Sequence, residues 1–284
     1  MPKCKLVAEI GINHNGDLKI AKQLIDVAVL SGFWAVKFQK RDIDFLYTKE
    51  VLDVPLESPF GTTVGDYKRA REFGYKEYSE IDRYCKEKEI KWFATPWDIK
   101  SVEFLSNFKT PYVKVASASL TDTKLLRAIS TMNKEIIIST GMSTEDEINT
   151  ALKILGKNVT TILACTSSYP TPIRDVNIEK IMTIKKKYGD LSDNLVKYKT
   201  GYSNHFPGIV FIIAAFVIGV DMIEYHVTID RSMFGTDQAS SVEPEGMMRI
   251  GKYIHTLAEG QGNGDLLCQK SELKIRDKLR RTNE

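Results

Sequence analysis

Two of the four histidines in this 284-residue chain, His205 and His226, stand at the polar ends of hydrophobic strand-like runs. The runs read K-T-G-Y-S-N-H and M-I-E-Y-H-V-T-I-D, and between them lies an almost wholly apolar helix, Pro207 to Gly219. A strand, a crossover helix and a second parallel strand bring both imidazoles to one edge of one sheet, where α/β proteins gather metal and substrate sites. A hydrogen-bonded pair of core histidines is the plainer alternative. Two on adjacent strand ends favour a divalent metal, since imidazole binds first-row ions well and an open coordination position polarises a carbonyl. Asp237 and Glu224 are the nearest acids. The alternation in I-E-Y-H puts Glu224 on the face of His226, as a supporting partner for the ligand.

Lys37 within V-K-F-Q and Lys114 within Y-V-K-V-A are each a lysine flanked by apolar residues in a strand-like run. If both point inward they need an anion, because a buried ammonium without a partner is costly. Otherwise they snorkel to a rim or pair with Glu9 or Glu224. The functional reading is a doubly anionic ligand held by two lysines with hydroxyl donors from Ser117, Ser139 and Ser203, a mixture suited to a phosphate plus a carboxylate. Other polar residues at predicted strand ends are Asn13, His14 and Asn15, Gln39, Thr95, Ser119, Thr140, Thr166, Ser167, Ser168 and Tyr169.

These residues need a scaffold, and the chain supplies eight rounds of strand and helix. Strands are predicted at Lys5–Ile10, Trp34–Gln39, Lys91–Thr95, Tyr112–Ala116, Glu135–Thr140, Thr160–Cys165, Val196–Tyr202 and Met222–Val227. Helices follow near 18–30, 74–89, 99–108, 122–132, 144–156, 177–188, 207–219 and 244–258. Thr144 with the acids behind it, and Thr121-Asp122 before L-L-R-A-I, are helix-start signals. Apolar strands in eight such rounds imply an α/β fold, a (β/α)8 TIM barrel in a single domain over 1–284. An open doubly wound sheet would need a nucleotide fingerprint after strand one, and E-I-G-I-N-H-N-G is not G-x-G-x-x-G. The stretch 40–73, rich in Asp, Pro, Gly and Thr, is a long insertion read as a lid, a binding loop or an oligomer contact. A basic tail over about 264–284 is expected to pack on the barrel exterior.

Composition sets bounds. With 43% hydrophobic and 27% charged residues the chain has ample core, and a net charge of +3 gives no reason to invoke nucleic acid. No leader pattern opens the chain, and the apolar run from Ile209 is too short to span a bilayer. Cys4, Cys85, Cys165 and Cys268 have no metal or redox spacing and read as reduced, so a cytoplasmic protein without membrane partners is expected.

The stretches A-E-I-G-I-N-H-N-G, V-K-F-Q, A-T-P, V-K-V-A-S-A-S-L-T, I-I-S-T-G-M-S, C-T-S-S-Y-P-T-P, G-Y-S-N-H, E-Y-H-V-T-I-D and F-G-T-D-Q-A-S-S-V-E-P run in order across the chain. Taken together they resemble the catalytic barrel of the sialic acid synthase family, which includes N-acetylneuraminate synthase and its legionaminate and pseudaminate relatives. The resemblance implies condensation of phosphoenolpyruvate with the open-chain aldehyde of an N-acylated hexosamine such as N-acetylmannosamine, with release of phosphate. It implies that His205 and His226 hold a divalent ion, commonly manganese, with magnesium and cobalt as other fits. Lys37, Lys114, Thr95, Ser117, Ser139 and Ser203 would hold phosphoenolpyruvate, with Ser167 in the phosphate region and Asn13 also on the substrate side. Gln39, Tyr169 and Asp237 would face the sugar or the bond-forming centre, and the assembly would be a homodimer.

The chain departs from the family pattern at three positions. Ser119 stands where many members have an acid that contacts the sugar, Asn204 where many have Asp beside the first metal histidine, and Ser167 where many have Asn. Typical members also carry a C-terminal antifreeze-protein-like domain whose arginine reaches a neighbouring subunit's site. None stands before Glu284, so another element, such as the 40–73 loop of a partner subunit, would supply that contact, or the acceptor differs. A barrel condensing phosphoenolpyruvate with another, phosphorylated or simpler aldose is the alternative enzyme. It would show an added basic pocket, and no spare lysine or arginine stands at the predicted strand ends, with Arg231 unplaced. A catalytically silent partner or regulatory barrel would have no need of Lys37, Lys114, His205 and His226.

Overall fold

The computed structural model describes residues 4–281. Eight parallel strands close into a barrel: β1 (Lys5–Gly11), β2 (Ala35–Lys40), β3 (Lys91–Pro96), β4 (Tyr112–Val115), β5 (Glu135–Ser139), β6 (Val159–Cys165), β7 (Lys199–Asn204) and β8 (Met222–His226). Each strand pairs with its sequence neighbour and β8 closes onto β1, which excludes an open sheet. The outer helices are α1 (Leu18–Leu30), α2 (Tyr75–Glu87), α3 (Ile99–Ser106), α4 (Thr123–Ser130), α5 (Glu145–Leu155), α6 (Lys180–Lys187), α7 (Val210–Ile218) and α8 (Pro244–Gly260). Two of them start where the sequence signals. Asp122 accepts from Lys124 N and Leu125 N, and Thr144 with Glu147 forms a reciprocal capping box.

The strand period of two divides the apolar residues into two cores. Outward positions such as Leu6, Ala8, Ile10, Val36, Phe38, Ile136, Ile138 and Ile223 join the helices in one large cluster. Inward positions Val7, Ala35, Phe93, Ile137, Leu163 and Met222 form a separate apolar floor inside the barrel. Lys5 Nζ lies 4.2 Å over the Trp34 ring beneath it. One pleat further along the same strands, the inward residues turn polar.

Two expectations are corrected. The seventh strand is Lys199–Asn204 and not Val196–Tyr202. Leu195 and Val196 are exposed and Tyr198 N bonds back to Tyr188 O, so this apolar patch belongs to a turn before the strand. The described part of the tail does not pack on the barrel: residues 261–281 are exposed throughout, including the short helix Leu273–Leu279, and 282–284 lie outside the described residues. No helix among the described residues is long and apolar enough to cross a membrane.

The 40–73 insertion is folded. It holds short helices at Ile43–Leu46, Lys49–Leu52 and Val64–Arg69 and a hairpin pairing Pro55–Ser58 with Gly61–Thr63. Aromatic contacts fasten it over the barrel mouth. Tyr67 and Phe60 pack against Phe234 of the loop after β8, with ring centroids 5.4 and 6.4 Å apart. His14 stacks on Phe73 at 3.8 Å.

Candidate active site

The polar layer above the floor begins with four buried charges. Register places Glu9 beside Lys37 on β2 and beside His226 on β8. Lys37 Nζ lies 3.1 Å from Glu9 Oε2 and 3.3 Å from Glu224 Oε1, and Lys114 Nζ lies 3.3 Å from the same Glu224 oxygen. The lysines therefore pair with both acids that the sequence offers. Burial would raise the Glu224 carboxyl, but Lys114 and Lys37 outweigh it and hold it down to about 2. Glu9 moves the other way: burial dominates over Lys37, and its pKa is raised. Burial also lowers Lys114, whereas Lys37, with two acids, ends above its ordinary value.

Hydroxyls surround this quartet. Thr95 Oγ1 accepts from Lys37 Nζ at 3.2 Å, and Ser203 Oγ donates to Glu224 Oε1 at 3.4 Å. Ser139 Oγ and Glu224 Oε2 are buried without a hydrogen-bond partner, and Glu9 Oε2 has the Lys37 ammonium alone. Gly141 N donates to Ser117 Oγ at 3.0 Å. A Cβ at Gly141 would collide with Ser167 Oγ, so only glycine lets both serines close around this point. These side chains line a cavity of about 120 Å³ together with Cys165, His205, His226, Trp97 and Tyr169.

The two imidazoles meet as the strand–helix–strand reading predicts, with ring centroids 5.3 Å apart. His205 Nδ1 lies 2.8 Å from Thr166 O. A carbonyl only accepts, so Nδ1 carries a proton and Nε2 is the nitrogen left to meet a ligand. Burial would lower this ring, but the Cys165 sulfur and the Thr166 carbonyl outweigh it and its pKa is raised. Burial pushes His226 down to about 4, despite Asp237 Oδ2 at 3.5 Å from its Nδ1, and that nitrogen has no hydrogen-bond partner. Two buried imidazoles this close suit a divalent ion, which His205 would meet through Nε2 after giving up the proton there. Among the described residues no group of three or more His, Cys, Asp or Glu is arranged to hold one, so substrate and water would complete its coordination. Beside His205 lies Cys165, Sγ to Nδ1 3.8 Å. Burial alone would raise this thiol, and the His205 charge and hydrogen bond outweigh it to hold it at about 6.

A second cavity of about 190 Å³ adjoins the first, sharing Gln39, Trp97 and Tyr169. Its other walls come from the insertion, with Arg41, Tyr47, Tyr67, Lys68 and Arg71, and from Thr236 and Asp237. Gln39 links the two: its Nε2 donates to Glu9 Oε1 at 2.7 Å and its Oε1 accepts from Arg41.

Of the residues singled out in sequence, Lys37, Gln39, Thr95, Lys114, Ser117, Ser139, Ser167, Tyr169, Ser203, His205 and His226 line the inner cavity, and Asp237 lines the outer one. Ser119 is buried and lines neither. Asn13 also lines neither; its Nδ2 donates to Val227 O and Ser241 Oγ, tying the end of β1 to the loop after β8. His14 is held neutral in its packing against Phe73, burial pushing it to about 3. Arg231 is exposed, and its backbone N–H donates to Glu243. Sequence reasoning left out Cys165, Trp97, Arg41 and Arg71. The period of two on β6 could have placed Cys165 inward; nothing periodic marks the arginines.

Comparison with known proteins agrees in extent and kind. The NeuB family model matches residues 24–265. N,N'-diacetyllegionaminic acid synthase of Campylobacter jejuni is 34% identical over 284 residues, covering 96% of this chain and 82% of that protein. N-acetylneuraminate-9-phosphate synthase of Homo sapiens is 32% identical, covering 97% of this chain and 76% of that one. The N-acetylneuraminic acid (sialic acid) synthetase of Leptospira borgpetersenii, solved in complex with citrate, superposes with a TM-score of 0.80 at 30% identity, covering 98% of this chain and 93% of that one.

Proposed function

This chain belongs to the NeuB family, and from that premise we propose that it condenses phosphoenolpyruvate with the open-chain aldehyde of an N-acylated amino sugar, releasing phosphate. The observation that carries the reading is one cavity at the carboxyl ends of the strands in which two buried lysines, five hydroxyls and two imidazoles converge. Lysines and hydroxyls suit a compact polyanion. Lys37 and Lys114 would take the donor's phosphate and carboxylate, with Thr95, Ser117, Ser139, Ser167 and Ser203 donating around them. His205 and His226 would hold a divalent ion, manganese being the expected one, which supplies a Lewis acid for the acceptor's carbonyl oxygen.

The overall change balances with one water. A bond forms between the methylene carbon of phosphoenolpyruvate and the aldehyde carbon, water adds to the carbon bearing phosphate, and the carbon–phosphate-oxygen bond breaks. Glu9, with its raised pKa and its place between Lys37 and Gln39, would be the carboxylate to take a proton, at the Oε2 that otherwise meets only the Lys37 ammonium. Tyr169 covers both imidazoles, its ring centroid 4.1 Å from His205 and 5.6 Å from His226, and would position the acceptor and exclude water.

The test is phosphate release from phosphoenolpyruvate with added manganese, run with N-acetylmannosamine, a 2,4-diacetamido sugar and simple aldoses. Release that depends on an N-acylated sugar and is lost in His226→Ala, together with loss of bound manganese in that variant, supports the reading. Release with none of them from folded protein overturns it.

A further inference from the structure

We propose that the outer chamber is a subsite for an oxyanion, a phosphate or a carboxylate, at the end of the acceptor remote from its aldehyde, and that Arg71 is its principal ligand. The proposal rests on the condensation reading for calling that molecule an acceptor; the subsite itself rests on geometry.

Arg71 is only 5% exposed. Its Nε donates to Tyr67 O at 3.1 Å, and its guanidinium carbon sits 3.5 Å from the centre of the Tyr67 ring, so the plane of the fork is fixed. Its Nη1 is buried with no hydrogen-bond partner, and the side chain makes no ion pair among the described residues. A guanidinium so placed is costly unless something anionic meets it.

Neither neighbouring acid is within ion-pair distance of Arg71. Glu72 lies within 3.5 Å of both Lys40 and Arg41. Asp237 accepts at Oδ1 from Thr236 Oγ1 and sets Oδ2 3.5 Å from His226 Nδ1, and it makes no ion pair with Arg71. Lys68 rests over the Tyr47 ring at 4.1 Å, at the same wall. Three cations thus line the chamber against two acids, neither of them paired with Arg71. A planar fork with a buried unpaired N–H matches the oxygens of a phosphate or carboxylate, and no neutral sugar hydroxyl would compensate its charge.

Position links the chamber to the reaction. It shares Gln39, Trp97 and Tyr169 with the inner cavity, so an acceptor whose carbonyl reaches the imidazoles extends its far end toward Arg71. This is the added basic pocket that the strand ends alone did not reveal.

Titration calorimetry of the manganese-supplemented protein with N-acetylmannosamine, its 6-phosphate and its uronic acid tests the proposal, using wild type, Arg71→Leu and Arg71→Lys. The wild type is expected to bind at least one anionic compound roughly 30-fold or more tightly than the neutral sugar, since truncating one partner of a buried charge pair loses about that much or more. Which anion wins tells phosphate from carboxylate. Arg71→Leu should abolish the preference and leave the neutral sugar unchanged, while Arg71→Lys retains part of it. Equal binding of all three compounds by wild type, or an equal loss for all three in folded Arg71→Leu, overturns the proposal. Should Arg71→Leu fail to fold, Arg71→Lys and Lys68→Ala carry the comparison, and an unchanged preference in both overturns it. Calorimetry needs no turnover. Selective anion binding without phosphoenolpyruvate consumption would therefore sink the condensation reading and leave the subsite standing.

Discussion

Lys114 on β4 and Glu224 on β8 meet across the barrel interior, Nζ to Oε1 at 3.3 Å, although 110 residues separate them in the chain. The same carboxylate oxygen holds Lys37 at 3.3 Å, so one acid fixes the spacing of both cations. An incoming polyanion does not find bare ammonium groups; it finds a pair already aimed and partly neutralised. Order is thereby built in before any ligand arrives.

The first prediction concerns this acid. Glu224→Gln leaves two buried lysines facing Glu9 alone, and a broken buried pair is destabilising by about 3–5 kcal/mol. Thermal unfolding should fall accordingly, and phosphoenolpyruvate should raise the midpoint more in the variant than in wild type, because the ligand replaces the lost charge. An equal ligand shift in both would show that the donor does not bind these lysines. The pH dependence has a definite sign. Glu224 titrates at about 2 in the folded state against an ordinary 4.5, so its contribution is complete above 4.5 and is lost as pH falls from 4.5 toward 2. Urea midpoints of Glu224→Gln should lack that part of the acid slope. Glu9 acts in the opposite sense: with a raised folded pKa, its ionisation weakens the fold as pH rises above 4.5 toward the folded value.

Glu9 gives the second prediction. A carboxyl whose pKa is already raised is raised further when an anion is placed beside it. Binding of phosphoenolpyruvate should therefore take up protons over the pH range in which the free protein ionises Glu9, seen in a pH series as binding heats that vary with the ionisation enthalpy of the buffer. Glu9→Gln should remove the variation. Heats that are the same in phosphate and Tris would rule out Glu9 as the proton acceptor at this site.

Thiol chemistry offers a third. Cys4 and Cys85 are buried and pushed up to about 12, chiefly by desolvation, while Cys165 is held at about 6 beside His205 and lines the inner cavity. In metal-free Cys268→Ser protein, which lacks the exposed thiol and keeps the His205 charge beside Cys165, a small alkylating reagent at pH 7 should modify Cys165 first, and phosphoenolpyruvate should protect it. Peptide mapping that finds Cys4 or Cys85 modified as fast, or no protection by the ligand, would contradict the placement of donor and thiol in one cavity.

Much of this was readable in advance wherever the strand period applies. The alternation I-E-Y-H puts Glu224 and His226 on one face, and both are inward in the barrel. The same parity takes β1 from Val7 in the floor to Glu9 in the polar layer, so the pairing of Lys37 with Glu9 was open to view as one of two readings. Strand seven misled because Leu195 and Val196 are apolar yet exposed, and the turn they occupy is set by a bond from Tyr198 to Tyr188. Arg41 and Arg71 were invisible for a different reason. The insertion that carries them has no period, and its path is decided by aromatic contacts to Phe234, more than 150 residues away in sequence. Asn13, a polar residue at a strand end, looked like a ligand-facing group, but its amide serves the loop after β8.

The apolar floor has a consequence for traffic. Val7, Ala35, Phe93, Ile137, Leu163 and Met222 close the barrel below the charged quartet, so the inner cavity has no second door at that end. Everything that enters or leaves does so through the mouth, where Gln39, Trp97 and Tyr169 also border the outer chamber. A molecule seated across those three side chains blocks the passage beneath it. On the proposed condensation, the plumbing would set the order of events: the small donor would load first, the sugar second, and inorganic phosphate would depart only after the long product had let go.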